Sequence, residues 1–288
     1  KNDIRFLKPT DFNNIDTVID LAGLSNDPSC DIDPQIARSI NYNGALNVAK
    51  AAKDGGVKQY IFASSCSVYG FTGNSISTEA SPLNPVSYYA KLKAAAEQEV
   101  LKLADQNFCV TVFRIATLYG LSRRMRFDLA LNLMTLMAWK KRRIYIMGGG
   151  NQWRPLVNIN DAVQAFSLLL NADKKNINGQ VYNLGSTEQN FQIIRLAQTI
   201  QGIFNDVEID ILPDDEDKRS YQVCFKKIKA DLNFTPNETP ATSAKEIKKA
   251  LQTAEVSDSL NTKTVQHYKY LIEADKILSE IKLDNKLF

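Results

Sequence analysis

Histidine is nearly absent from this sequence of 288 residues, in which His267 is the only example. This scarcity nearly excludes catalytic triads and metal centres that depend on histidine, and we expect His267 to be a surface residue on a C-terminal helix. Cysteine is also rare, and its four occurrences lack the Cys-x-x-Cys spacing of zinc and redox sites. Scattered cysteines are typical of a reducing cytoplasm rather than of a disulfide framework.

Long apolar runs and a strong charge of one sign are also missing. No run approaches the roughly 20 apolar residues of a membrane span, and the formal charge of +3 comes from dispersed lysines and arginines. We therefore expect neither a membrane nor a nucleic acid as partner. The remaining composition, with 44% hydrophobic and 23% charged residues, is ordinary for a soluble globular enzyme.

Short apolar runs alternate with helical patterns in the first 120 residues. Alternation of this kind predicts an α/β fold with a Rossmann-like, doubly wound parallel sheet. Ligands bind such sheets at the carboxyl ends of the strands, where Ala22, Ser65 and Thr117 would lie. The pattern predicts, in chain order, a strand at 16–23, a helix at about 34–55, and strands at 60–63 and 110–115.

The alternation loosens after residue 120. A helix is predicted at 128–139 and a strand at 143–147. The glycine run 148–150 follows, and because no Lys-Ser/Thr pair comes after it, we interpret it as a hairpin turn rather than a phosphate loop. Segment 242–288 is rich in Lys and Glu and lacks Gly and Pro, which predicts terminal helices.

Tyr89 and Lys93 stand four residues apart at the head of an Ala-rich segment, for which Asn84-Pro85 offers a cap and a first-turn proline. At that spacing both side chains project from one helical face. An ammonium beside a phenol lowers the phenol pKa, and such a phenol can exchange a proton with a sugar hydroxyl. The alternative is a helix start with a buried ring and a solvated lysine, because such a pair can arise by chance.

Seven segments occur in the order typical of one family. The chain resembles, over roughly residues 3 to 235, the extended short-chain dehydrogenases/reductases of the NAD-dependent epimerase/dehydratase family, which act on nucleotide-activated sugars. The resemblance is carried by DTVIDLAG at 16–23, Asn41 and Asn47 on a helix, IFASSCSVYG at 61–70, SYYAKLKAAAE at 87–97, FRIATLYG at 113–120, WRPLVNINDAVQAF at 153–166 and VYNLG at 181–185.

The resemblance implies roles for the reacting and cofactor-binding residues. Tyr89 would be the acid/base, Lys93 its partner and a ligand of the nicotinamide ribose, and Ser65 the group that binds the reacting hydroxyl. The implied cofactor is NAD, with NADP left open. The residues that it would contact are Ala22, Gly23, Asn41, Ser64, Tyr89 and Lys93, although for Asn41 a purely structural role is about as plausible.

The resemblance also implies a nucleotide-diphosphate sugar as substrate. Cys66 and Ser67 stand where dehydratases of the family carry Asp-Glu, which disfavours water elimination and leaves 4-epimerisation or oxidation and reduction at a sugar carbon. The base, the sugar, and the choice between epimerase and dehydrogenase stay open. The substrate-binding candidates are Cys66, Ser67, Thr117, Asn132, Arg154 and Arg219, of which Arg219 has a solvated loop residue as its alternative.

The family's opening strand, GxxGxxG turn and helix have no counterpart here, since no glycine precedes Gly23. We expect that these residues are a portion of a longer polypeptide; the alternative is a non-catalytic nucleotide-sugar-binding or interaction remnant of the fold. We expect three parts. Residues 1–120 would form a Rossmann-like dinucleotide-binding domain that is incomplete at its N-terminus, and residues 121–241 a mainly substrate-binding lobe, from which 155–185 returns to the Rossmann sheet. Residues 242–288 would form a helical tail. Ala94, Ala95 and Ala96 would let the Tyr-Lys helix form a homodimer.

Overall fold

Four parallel strands form the central sheet of the computed structural model, which describes residues 2–212, 219–283 and 286. Apolar residues are buried along most of the two central strands, as expected where helices cover both faces of a parallel sheet, whereas Ile19 on an edge strand is exposed. The predicted α/β fold with a parallel sheet is confirmed. In spatial order the strands are Thr17–Asp20 (β1), Gln59–Ser65 (β2), Cys109–Ile115 (β4) and Gln180–Leu184 (β8).

The predicted helix at 34–55 exists but contains a wide turn. It consists of Pro34–Arg38 (α2), a π-helical turn at Ser39–Gly44 and Ala45–Asp54 (α3). The side chain of Asp33 caps its start by accepting hydrogen bonds from Gln35 N and Ile36 N. A π turn inside a helix often marks a functional site, and this one carries Asn41.

The helix that carries Tyr89 and Lys93 spans Tyr88–Leu101 (α4), and its predicted cap was wrong. Ser87, not Asn84, accepts a hydrogen bond from Ala90 N at 3.2 Å. The backbone N–H of Asn84 instead donates to Val68 O at 3.0 Å, which holds residue 84 outside the helix. The Ser87 hydroxyl is therefore the group that satisfies the first turn.

The glycine run 148–150 is a turn, but the predicted hairpin was wrong. All three glycines have positive φ, which suits residues without a Cβ. The strand before them, Arg143–Met147 (β6), pairs in parallel with Glu208–Leu212 (β10). The strand after them, Trp153–Asn158 (β7), pairs instead with Thr117–Tyr119 (β5) and Asn190–Gln192 (β9). The turn thus passes the chain between two sheets.

A second core forms beside the sheet, around the predicted helix after residue 128, which spans Ala130–Lys141 (α5). Ala244 and Ile247 of Pro240–Gln252 (α10) are fully buried in this core, so part of segment 242–288 is integral to the lobe. The other elements are Asp27–Cys30 (α1), Phe71–Ser77 (β3), Ile159–Asn171 (α6), Lys174–Ile177 (α7), Ile193–Gln201 (α8), Ser220–Val223 (β11), Lys226–Leu232 (α9) and Thr264–Ile281 (α11).

The C-terminal helix α11 is largely exposed, with only Thr264 of its own residues buried. His267 lies on this helix and is half-buried, so it does not stand fully on the surface as expected. Among the described residues, no helix combines the length and the apolar character needed to cross a bilayer.

Candidate active site

Strand β2 and helix α4 place Ser65 and Tyr89 close together. Ser65 is the last residue of β2, and its hydroxyl accepts hydrogen bonds from the Ser67 backbone N–H at 3.2 Å and from the Ser67 hydroxyl at 3.0 Å. These two bonds fix the turn that follows the strand. The Ser65 hydroxyl lies close enough to the Tyr89 phenol to lower the phenol pKa. The end of the strand therefore presents two hydroxyl groups at one point.

Lys93 lies one helical turn after Tyr89, and its side chain is buried rather than solvated. Its ammonium donates a hydrogen bond of 2.8 Å to Ala63 O of β2 and lies 4.7 Å from the centre of the Phe62 ring. The buried Asp20 carboxylate acts on it from the end of β1. An ammonium has three donors, so the bond to Ala63 leaves capacity to hold a ligand.

The electrostatics of Tyr89 differ from the expectation. Burial raises the pKa of its phenol above the ordinary value, and this effect exceeds the lowering by the Ser65 hydrogen bond. The Asp27 carboxylate raises the pKa of the phenol further. Burial also lowers the pKa of Lys93, despite the nearby Asp20 carboxylate. The predicted lowering of the Tyr89 pKa was therefore wrong for the chain by itself, because desolvation outweighs the effect of Ser65 and the neighbouring charges add to the rise.

Ala22 and Gly23 form the loop at the end of β1. The N–H of Ala22 donates to Asp20 Oδ1 at 3.0 Å, which holds the loop close to the strand. Gly23 has a φ of +150°, and a Cβ added there would lie 2.9 Å from Asn41 Oδ1 and 3.8 Å from Lys93 Nζ. The absence of a side chain at Gly23 thus leaves open space next to the Lys93 ammonium. This space and the ammonium, as hydrogen-bond donor, suit a ribose hydroxyl of the expected dinucleotide.

Asn41 shapes this loop through its amide. Its Oδ1 accepts from Leu24 N at 2.7 Å, and its Nδ2 donates to Leu24 O at 2.9 Å and to Cys30 Sγ at 3.4 Å. Both ends of the amide are therefore bound to protein groups. The structure supports the structural role for Asn41 over direct contact with a cofactor.

The Ser64 hydroxyl faces away from Ser65 into a buried polar network. It donates to Glu97 Oε2 at 2.8 Å, and Glu97 is also bound by the Arg114 guanidinium. Arg114 in turn donates to the Tyr69 hydroxyl at 2.9 Å. The network joins β2, α4 and β4 beneath the site. Ser64 was expected to bind the cofactor, but its hydroxyl is bound to Glu97 in this network.

Cys66 is also turned into the protein. It is 1% exposed, and its thiol donates to Arg114 O at 3.1 Å. Burial raises the pKa of the thiol strongly, more than the Arg114 charge lowers it. A buried neutral thiol is unsuited to exchange protons with a substrate. Ser67 is buried as well, and its hydroxyl donates a hydrogen bond to the Ser65 hydroxyl.

Arg154 and Arg219 lie together beside Tyr221 and Asp27. The Nη1 of Arg154 donates to Trp153 O at 2.9 Å and to Arg219 O at 2.5 Å, and its guanidinium lies 5.7 Å from the centre of the Tyr221 ring. The guanidinium of Arg219 forms an ion pair with Asp27. Both arginine charges act on Tyr221, whose pKa burial nevertheless raises to about 12. This pair is suited to bind phosphate oxygens.

Asn132 and Thr117 have different surroundings. The Oδ1 of the buried Asn132 accepts from Gly120 N at 3.1 Å, and its Nδ2 donates to Arg126 O at 3.1 Å. Asn132 therefore fixes the loop between β5 and α5 with both ends of its amide. Thr117 begins β5 and is half-buried.

Sequence reasoning missed Asp27 and Tyr221 as site residues. Asn26-Asp27-Pro28 reads as an ordinary helix start, and nothing in its spacing connects it with a residue far along the chain. Tyr221 stands beside Arg219 in the sequence, and that adjacency was the only signal available for it.

Comparisons with known proteins identify the family of the chain. A profile of the NAD dependent epimerase/dehydratase family matches residues 3–185. The human protein named dTDP-D-glucose 4,6-dehydratase is 30% identical over 162 residues, which cover 56% of this chain and 45% of that protein. The UDP-glucose 4-epimerase of Lactobacillus helveticus is 26% identical over 207 residues, covering 66% of this chain and 62% of that protein. The chain thus spans about half the length of the relatives that it matches.

Solved structures share the fold. MoeE5 in complex with UDP-glucuronic acid and NAD superposes with a TM-score of 0.80 at 21% identity, covering 88% of this chain and 85% of that one. RMD from Pseudomonas aeruginosa, complexed with NADPH, superposes with a TM-score of 0.74 at 23% identity, covering 88% of both chains.

Proposed function

This chain belongs to the NAD-dependent epimerase/dehydratase family, and we propose that it is the catalytic part of a nucleotide-sugar epimerase or C4 oxidoreductase that uses NAD, with NADP as the alternative. The observation that carries the proposal is the proximity of Ser65 and Tyr89, with the buried Lys93 one helical turn after Tyr89. The relatives named above are nucleotide-sugar epimerases and dehydratases, which supports the same reaction class.

Three side chains of this chain would handle the proton. The Ser65 hydroxyl would hold the reacting hydroxyl of the sugar, and Tyr89, ionised to the phenolate, would accept its proton and then return it. Lys93, anchored on Ala63 O, donates its remaining protons to a ribose hydroxyl beside the open face of Gly23. A bound nicotinamide supplies the hydride acceptor and donor chemistry. Lys93 is buried, whereas Ser65 and Tyr89 are half-buried, which leaves the two hydroxyls accessible to a substrate.

Water elimination is disfavoured at this site. The buried Cys66 stands in the position where an acid would be needed, and its thiol donates a hydrogen bond to the backbone carbonyl of Arg114. Because burial also raises the pKa of that thiol, it stays protonated at neutral pH. Transfer of hydride at a sugar carbon, with or without inversion, is therefore the favoured outcome.

Arg154 and Arg219 would hold the diphosphate of the substrate. Guanidinium groups bind phosphate oxygens through paired donors, and the Tyr221 ring beneath Arg154 keeps that group in place. The sugar would then extend from the phosphates toward Ser65 and Tyr89.

The test is a Tyr89→Phe variant compared with the parent in two measurements, conversion of UDP-glucose with added NAD and calorimetric binding of UDP-glucose. We expect conversion to fall by a factor of about 100 to 10,000 while affinity stays within about twofold. Conversion unchanged by the variant would overturn the assignment of Tyr89. If the parent binds UDP-glucose without converting it, the chain is a binding module, which is the second reading of the sequence.

We further propose that the protein is a cytoplasmic homodimer that pairs through the outer face of α4. All four cysteines are free, which supports a reducing compartment. Ala94 and Ala96 are buried within the chain, but Ala95 is partly exposed between the exposed Lys91 and Gln98. An Ala95→Arg variant should therefore be monomeric in light scattering where the parent is a dimer. A monomeric parent would refute the pairing.

A further inference from the structure

The short helix α1 sits at the active site and is fixed there from several sides. Asn26 caps it by accepting from Ser29 N at 2.9 Å, and the Asn26 amide also donates to Asp128 Oδ2 at 3.1 Å. Cys30, at its end, packs in one apolar cluster with Tyr89 at the start of α4. A helix of only four residues is thus held in one position beside the catalytic phenol.

Asp27 is the charged residue of α1, and its two oxygens have different surroundings. One of them forms the ion pair with the Arg219 guanidinium. The other, Oδ1, is buried and has no hydrogen-bond partner among the residues that the structure describes. A buried carboxylate oxygen without a donor is costly, because desolvation is not compensated. Such an atom is most simply explained by a donor that arrives with a ligand.

The same carboxylate lies within electrostatic reach of the reacting groups. It raises the pKa of Tyr89 on one side and of Tyr221 on the other. Asp27 is therefore located between the phenol that would exchange a proton with the sugar and the arginines that would bind the diphosphate. That is where the ring of a bound nucleotide sugar must pass.

We propose that Asp27 is a specificity-determining residue of the sugar pocket, which favours nucleotide sugars with neutral, hydroxyl-bearing rings and rejects those with a carboxylate on the ring. This inference rests on the proposed function, since it assumes that Arg154 and Arg219 bind a diphosphate and that Tyr89 meets the sugar.

Two physical effects produce this selectivity. A neutral sugar hydroxyl can donate to the unsatisfied Oδ1 of Asp27, which removes the cost of its burial. A uronic acid brings a second negative charge into the same partly buried space, where like charges repel more strongly than in water. The uronate would also have to compete with Asp27 for the Arg219 guanidinium. Both effects act in the same direction and depend on the charge of one side chain.

The experiment measures the dissociation constants of UDP-glucose and UDP-glucuronic acid by calorimetry at one ionic strength, for the parent and for Asp27→Asn. Asparagine keeps the size of the side chain and removes its charge. We expect the parent to bind UDP-glucose at least about tenfold more tightly than UDP-glucuronic acid, and the variant to reduce this ratio to about threefold or less.

Asp31→Asn is the matched control, because Asp31 is an exposed carboxylate at the end of the same helix. It should leave the ratio as in the parent. Equal affinity of the parent for the two sugars refutes the inference even if Asp27→Asn does not fold, and so does a ratio that Asp27→Asn leaves unchanged. If the parent binds neither UDP-sugar and does not bind UDP alone, the result would instead refute the proposed function.

Discussion

Arg114 and Glu97 form an ion pair in the interior, with Arg114 Nη2 only 2.5 Å from Glu97 Oε1 and both side chains less than a tenth exposed. The pair joins strand β4 to helix α4, and Ser64 binds the same carboxylate from the end of β2. The three elements that it connects include those that carry Ser65, Tyr89 and Lys93. The orientation of α4 over the sheet is therefore set by buried polar contacts as well as by apolar packing.

Replacing Glu97 by alanine should destabilise the protein severely. The change leaves the Arg114 charge buried without its partner, which costs about 3–5 kcal/mol in comparable cases. Urea unfolding followed by circular dichroism measures this loss. Glu99→Ala is the control: Glu99 pairs on the surface with Lys102, and exposed pairs contribute about 0–1 kcal/mol. Similar losses for the two variants would show that the buried pair does not anchor α4.

Replacing Gly23 by alanine should be more costly than the same change at Gly56. Both glycines have φ in the range that other residues avoid, so both changes strain the backbone, by about 1–3 kcal/mol each. A Cβ at Gly23 would also meet Asn41 Oδ1 at 2.9 Å, whereas nothing lies within 4 Å of a Cβ at Gly56. The free energy of unfolding should therefore fall further for Gly23→Ala. Equal losses would argue against a close contact between this loop and Asn41.

Replacing Arg154 by alanine should weaken the binding of UDP-glucose by a factor of about 10 or more, since a charge-assisted contact to phosphate is lost. Calorimetric titration of the parent and the variant measures this change. Arg195→Ala is the control, because Arg195 is an exposed residue whose side chain bonds to Gln198 on α8. Unchanged affinity of the Arg154 variant would exclude this arginine from the substrate site.

The sequence was sufficient to predict the parallel sheet and a helix with Tyr89 and Lys93 on one face. Apolar runs specify buried strands, and helical periodicity brings residues four apart to the same side. The hydrogen-bond partners of polar side chains were not predictable in this way. Asn41 and Asn132 bind backbone groups of distant loops, and those loops approach them only in the folded chain.

The same limit explains Asp27 and the sign of the Tyr89 pKa shift. Asp27 meets Arg219 across 192 positions of sequence, and no local pattern records such a contact. The pKa of Tyr89 depends on how completely the phenol is removed from water, which is a property of the packed site. The spacing of Tyr89 and Lys93 showed only that an ammonium would be near.

The Tyr89 phenol should resist ionisation in the chain without cofactor. Burial raises its pKa, so the phenol stays protonated as the pH rises through about 10, where an exposed tyrosine ionises. The tyrosinate absorbance of the parent and of Tyr89→Phe should therefore coincide up to that pH.

The same pKa shift affects stability. The folded state holds this proton more tightly than the unfolded state, so above about pH 10 the parent should lose stability relative to Tyr89→Phe. Tyr69→Phe is not a suitable control, because the Tyr69 hydroxyl binds Arg114 and Asn183. Tyr270→Phe, at an exposed position of α11, is the control for the substitution itself. A tyrosinate signal near pH 7 that Tyr89→Phe abolishes would contradict the prediction and show that Lys93 acts on the phenol before any cofactor binds.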